Sequence, residues 1–111
     1  MDLLIEKKTN VDVIKCKGRL DVNSADNFRN KTNEVISSGS KKLAIDLAEV
    51  SFIDSSGLGA LVAVLRAANQ QGGSVKLFRL KPEIRMIIEL TRLNKVFDIF
   101  NTEEEILVSF K

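Results

Sequence analysis

The 111-residue sequence has no histidine, no tryptophan and no tyrosine, and it holds one cysteine and one proline. Without histidine there is no His-based catalytic triad, no His phosphocarrier and no His-ligated metal site. The single cysteine, Cys16, excludes an internal disulfide and a multi-cysteine zinc site. Six phenylalanines are the only aromatics, which leaves little for base stacking or an aromatic cage. Charge of one sign is missing too: 17 basic residues against 15 acidic give a net charge of +2, too balanced for electrostatic nucleic-acid binding. The longest apolar stretch, Leu58 to Leu65, is far short of a membrane span. The start, Met1-Asp2-Leu3-Leu4-Ile5, meets Glu6-Lys7-Lys8 at once and does not read as a signal peptide. A cytoplasmic location, no membrane, no nucleic acid and no cofactor are the expectations.

What is present suits a globular domain. With 44% hydrophobic and 29% charged residues the composition is neither disordered nor membrane-spanning, and residues 1–111 read as one domain. Leu3-Leu4-Ile5 and Val11 to Cys16, separated by Lys7-Lys8-Thr9-Asn10, predict an antiparallel hairpin with Asn10 in a left-handed turn conformation. Asn23-Ser24 reads as a helix cap, followed by Ala25, Phe28, Val35 and Ile36 at helical spacing and a stop at Gly39. Leu43 to Leu47 and Val50 to Ile53 read as two extended stretches. A helix beginning near Gly57 carries Leu58, Leu61, Val62 and Leu65 on one face and ends at Gly72-Gly73. Val75 to Phe78 predicts another strand, and Pro82 the first turn of a helix that frays near Asn94. After Val96 to Phe100, Thr102 and Glu105 form a capping box for a last helix built on Ile106, Leu107 and Phe110. The pattern predicts an α/β fold: a mixed, partly parallel sheet with an N-terminal hairpin and four helices.

The most unusual segment is Phe52-Ile53-Asp54-Ser55-Ser56-Gly57-Leu58-Gly59, where an apolar stretch turns into a helix. In open α/β folds such turns form the functional edge. The structural reading is that Asp54, Ser55 and Ser56 cap the helix and satisfy its free N–H groups, although one cap suffices. It leaves the excess, and two glycines in a first turn, without a reason. Gly57 and Gly59 would leave the backbone bare enough for another molecule to come close. A dinucleotide fingerprint fails because Val62 stands where a third small residue is needed. A P-loop fails because no lysine lies between Asp46 and Arg66, and a nucleophile elbow lacks both its glycine spacing and a histidine. No residue qualifies as catalytic. A serine here can still accept a phosphate, since the phosphorylating enzyme supplies nucleotide, metal and base.

The run Leu43-Ala44-Ile45-Asp46-Leu47 through Val50-Ser51-Phe52-Ile53-Asp54-Ser55-Ser56-Gly57-Leu58-Gly59 resembles the signature of the bacterial anti-sigma-factor antagonists. These are single-domain members of the STAS (sulfate transporter and anti-sigma antagonist) family. Gly18-Arg19-Leu20-Asp21 is similar to a second signature, and the resemblance spans essentially the whole chain. It implies a STAS-like mixed sheet and a partner-switching mechanism. The unphosphorylated protein binds an anti-sigma factor that is also a serine kinase and so frees a sigma factor. Phosphorylation of the first serine, here Ser55, dissolves the complex, and a PP2C-type phosphatase resets it. Carried over by position, Ser56 becomes the helix cap and Asp54 flanks the site. Asp21, Asn23 and Ser24 should share its surface, and Gly57 and Leu58 complete the partner-binding set. The alternative is a constitutive STAS scaffold whose serine is never modified.

Elsewhere the residues read structurally. Cys16, in an apolar strand, reads as buried and inert. Asp46 at a strand end could suggest a receiver-domain phosphoacceptor, but the first strand ends in Lys7-Lys8 where that fold needs magnesium-binding acids. The lysines of the hairpin read as protection of a sheet edge, and Met86, Ile87 and Ile88 as core.

Overall fold

A computed structural model of the chain describes residues 1–111. Its elements are β1 (Asp2–Lys8), β2 (Val11–Leu20), α1 (Ala25–Ser37), β3 (Lys42–Ile53), α2 (Ser55–Gln70), β4 (Ser74–Phe78) and α3 (Pro82–Leu90). A 3-10 turn (Leu93–Lys95), β5 (Ile99–Phe100) and α4 (Glu103–Ser109) complete the chain. The strands lie in the order β1-β2-β3-β4-β5, the first pair antiparallel and the other three parallel. This is the mixed, hairpin-led sheet with four helices that the pattern predicts.

Right-handed crossovers explain the layering. Each parallel connection steps across the sheet in the same direction, so right-handedness places α1, α2 and α3 on one face. There Phe28 of α1, Leu61 of α2 and Ile84 and Ile88 of α3 join Ile14, Cys16, Leu43 and Leu77 in a core of 21 buried residues. α4 covers part of the other face, where Ile106 and Phe110 pack on Val11, Val13, Ala44 and Phe78. Alternation along β2 thus gives Ile14 and Cys16 to the larger core and Val11 and Val13 to the smaller. No helix is long and apolar enough to cross a membrane.

Several local expectations change. The hairpin closes with Lys8 opposite Val11, but Asn10 is not left-handed; the non-glycine residues with positive φ are Arg79 and Arg92. Arg92, at φ 61°, follows the end of α3 at Leu90, so that helix stops before Asn94. The capping box of α4 forms as expected, with Thr102 Oγ1 accepting from the Glu105 N–H and Glu105 Oε1 accepting from the Thr102 N–H. The two extended stretches around residue 48 are one strand. β3 pairs with β2 as far as Leu20 opposite Ile53, across two register shifts, but with β4 only as far as Asp46 opposite Phe78. Past Asp46 it leaves β4 and follows β2, which carries the Asp54 turn out to the C-terminal edge of the sheet.

Asp46 marks that departure. It is buried, and its carboxylate accepts hydrogen bonds from the Ala48 N–H (3.0 Å), from Arg79 Nε (3.2 Å) and from the Arg79 Nη2 group. Arg79 reaches it from a left-handed backbone, φ 58°. Removing one member of a buried pair strands the other charge. Because Arg79 is half exposed, Arg79→Ala is expected to cost about 2–3 kcal/mol, less than the roughly 3–5 kcal/mol lost when a fully buried pair is broken. Urea unfolding checks this, and an unchanged midpoint would mean that water replaces the guanidinium without penalty.

Candidate functional site

The segment singled out in the sequence forms the turn from β3 into α2. Ile53 is buried at the strand end, and Asp54 follows in an extended conformation as the N-cap of α2. Asp54 Oδ1 accepts from the Gly57 N–H at 2.9 Å, and Oδ2 accepts from the Val22 N–H at 3.1 Å. Its own N–H donates to the Leu20 carbonyl at 3.3 Å. One side chain therefore caps the helix and ties the β2–α1 loop to it. Asp21 and Asn23 thus lie beside Asp54 at this edge, whereas Ser24, expected on the same surface, is buried beneath it.

The capping expectations need correction. Ser56 is not the cap of α2, because it is already the second helical residue, whereas a cap stands before the helix and reaches back to its free N–H groups. The helix begins at Ser55, not near Gly57. Ser24 sits at the N-cap position of α1 but makes no side-chain cap bond. Its hydroxyl donates to the Arg19 carbonyl (2.6 Å) and accepts from the Asp21 N–H (3.0 Å), so it fastens the loop instead.

The remaining residues separate into surface and interior. Ser55 is exposed at the first helical position, and its hydroxyl has no hydrogen-bond partner in the chain. Asn23 is exposed, Asp21, Ser56 and Leu58 are half-buried, and Ser24 and Gly57 are buried. Leu58 packs against the larger core. Gly57 offers no surface to another molecule: a Cβ there would stand 2.1 Å from the Leu20 carbonyl oxygen. Its bareness serves the contact of α2 with β2. At Gly59 a Cβ would meet nothing within 4 Å beyond its own helix backbone and chain neighbours.

Asp21 is held by its neighbours. Desolvation raises its pKa, but the hydrogen bonds from the Arg19 guanidinium (3.3 Å) and the Asn23 N–H (3.0 Å) outweigh that and keep its carboxyl below the usual range. It stays ionised at neutral pH. Arg19 also stacks on Phe52, 4.1 Å from the ring centre, across the β2–β3 register where the two face one another.

Residues that the sequence pattern did not single out complete the site. A groove of about 350 Å³ between α1 and α2 is lined by Val22, Ala25, Asp26, Arg29, Ser56 and Gly59. Val22 is 69% exposed, one of several exposed apolar residues of the chain, and nothing in its sequence setting marks it as part of this groove. A wider groove, about 530 Å³, lies on the far face between the hairpin turn and α4, away from the serines. Cys16 is buried and its thiol is pushed up to about 12 by burial, in keeping with an inert core residue. Asp46 is closed off by Arg79, which leaves the receiver-domain alternative without an accessible acceptor.

The site offers an unbonded serine hydroxyl at a helix N-terminus, with acidic residues fixed on the adjoining loop. That arrangement, on this sheet, is a STAS domain: the family matches residues 2–106, and the chain belongs to it. The chain is 34% identical over 101 residues to the anti-sigma-B factor antagonist of Bacillus subtilis, covering 89% of this chain and 92% of that one. Its structure is similar to that of an anti-sigma factor antagonist from Mycobacterium paratuberculosis, with a TM-score of 0.88 and 28% identity over 97% of this chain and 92% of that one. It is also similar to the Bacillus cell fate determinant SpoIIAA in its phosphorylated form, with a TM-score of 0.77 and 25% identity over 99% of this chain and all of that one.

Proposed function

We propose that residues 1–111 act as one STAS domain and that the protein is an anti-sigma-factor antagonist worked by partner switching. The unphosphorylated chain binds an anti-sigma factor that is also a serine kinase, and a sigma factor is freed. Transfer of a phosphoryl group from ATP to the Ser55 oxygen, with loss of the hydroxyl proton and release of ADP, ends the complex. A PP2C-type phosphatase hydrolyses the ester and restores the binding form. Asp21, Asn23, Asp54 and Ser56 are the surface residues of this site, while Ser24, Gly57 and Leu58 support it from beneath.

The observation that carries the reading is the state of Ser55. Of the three polar residues at the turn, Asp54 alone caps the helix, so Ser55 is left exposed and without a structural task. The names of the relatives support the antagonist role, and one of them has been described in a phosphorylated form. The test is intact-mass analysis after incubation with magnesium ATP and the anti-sigma kinases encoded in the source genome. One phosphate is expected on the wild type and on Ser56→Ala, and none on Ser55→Ala. Binding without any phosphate gain would favour the constitutive scaffold instead.

A further inference from the structure

Glycine is the poorest residue short of proline in a helix interior. A helical glycine that its own fold does not require therefore points outward for its reason. Gly59 is such a residue: it lies in α2 with no positive φ, it is exposed, and a Cβ there would meet nothing within 4 Å beyond its own helix backbone and chain neighbours. Gly57, two positions earlier, is accounted for entirely by the Leu20 carbonyl.

Its position relative to Ser55 supplies the reason. Residues four apart in a helix stack on one face, and a helical side chain leans over the turn that precedes its own Cα. A longer side chain at 59 would lie on the face of α2 that carries Ser55 and lean toward it. Gly59 also lines the groove with the exposed Val22 and with Arg29 of α1. A bare helix backbone faced by one exposed apolar side chain fits a polypeptide main chain passing close, with an apolar side chain of its own resting on Val22.

We propose that Gly59 is a specificity-determining position, resting on the partner-switching reading above: its missing side chain admits a main-chain segment of the anti-sigma factor across α2 and keeps Ser55 within that partner's reach. A side chain there obstructs the partner in proportion to its length, while the fold is left intact.

The test compares wild type, Gly59→Ala, Gly59→Gln and, at the far end of the same helix, Asn69→Gln. Each is titrated against every anti-sigma factor encoded in the source genome, phosphate gain at Ser55 is followed by intact mass, and melting temperature is recorded. Both Gly59 variants are expected to melt at or above the wild type. Gly59→Gln is expected to bind roughly tenfold or more weakly and to gain phosphate more slowly, with Gly59→Ala between and Asn69→Gln like wild type. If Gly59→Gln binds and is phosphorylated as wild type, the proposal fails while the partner-switching reading stands. If Gly59→Gln melts well below wild type, the glycine serves the fold and the proposal fails. If the wild type binds none of the anti-sigma factors, the partner-switching reading fails and this proposal with it.

Discussion

Gly57→Ala is expected to lower the melting temperature by roughly 12–24 °C, the fall that about 3–4 kcal/mol produces in a domain of this length. The added Cβ would lie 2.1 Å from the Leu20 carbonyl oxygen, 2.9 Å from its carbon and 3.0 Å from Leu20 Cγ. Neither side has room to give. The same carbonyl accepts the Asp54 N–H, Leu20 is fully buried and pairs with Ile53, and the Gly57 N–H is held by Asp54 Oδ1. Relief requires lifting the first turn of α2 from β2, which also pulls Asp54 away from Val22. The gain in helix propensity from alanine, about 1 kcal/mol, is already outweighed in that figure. Differential scanning calorimetry reads the effect. A melting temperature within a few degrees of wild type would mean that α2 is not anchored at Leu20.

Phosphorylation of Ser55 is expected to weaken binding to the anti-sigma partner by about a thousandfold, equivalent to roughly 4 kcal/mol of like-charge juxtaposition. A phosphate adds about −1.5 to −2 charges. The Asp54 carboxylate cannot swing away from it, because both oxygens are committed, one to Gly57 and one to Val22. A competing effect acts within the chain, where a phosphate at a helix N-terminus is favourable. The two effects separate by measurement: the phosphorylated protein should melt no lower than the unmodified one, while the penalty appears in the complex. Ser55→Asp, with a single charge, should move binding in the same direction and less far. Titration calorimetry with the three forms decides the matter, and equal affinities would identify a constitutive module.

Much of this was legible in the chain itself, and the exceptions have physical causes. Thr102 with Glu105, and Pro82 at a first turn, are local signals whose partners lie within a few residues, and both helices start as read, although α3 ends at Leu90 rather than near Asn94. β3 reads as two stretches because Ala48-Glu49 interrupts its apolar alternation; its continuity is supplied by β2, which no local window contains. The bond between Asp46 and Arg79 spans 33 residues and was invisible for the same reason. Three cap-forming residues in a row are equivalent until the backbone makes Asp54 extended and Ser55 helical. Gly57 and Gly59 look alike in sequence. Only the arrival of Leu20 beneath one of them gives the two glycines opposite meanings.

The strand order has a consequence for how the molecule is made. Because spatial order follows chain order from β1 to β5, each strand leaving the ribosome meets an edge completed just before it. No strand waits for a partner encoded far downstream, so loop-closure entropy is met in small instalments. The turn bearing Ser55 is fastened only to Leu20 and Val22, so its shape depends on β2 and β3 and not on β4, β5 or the last two helices.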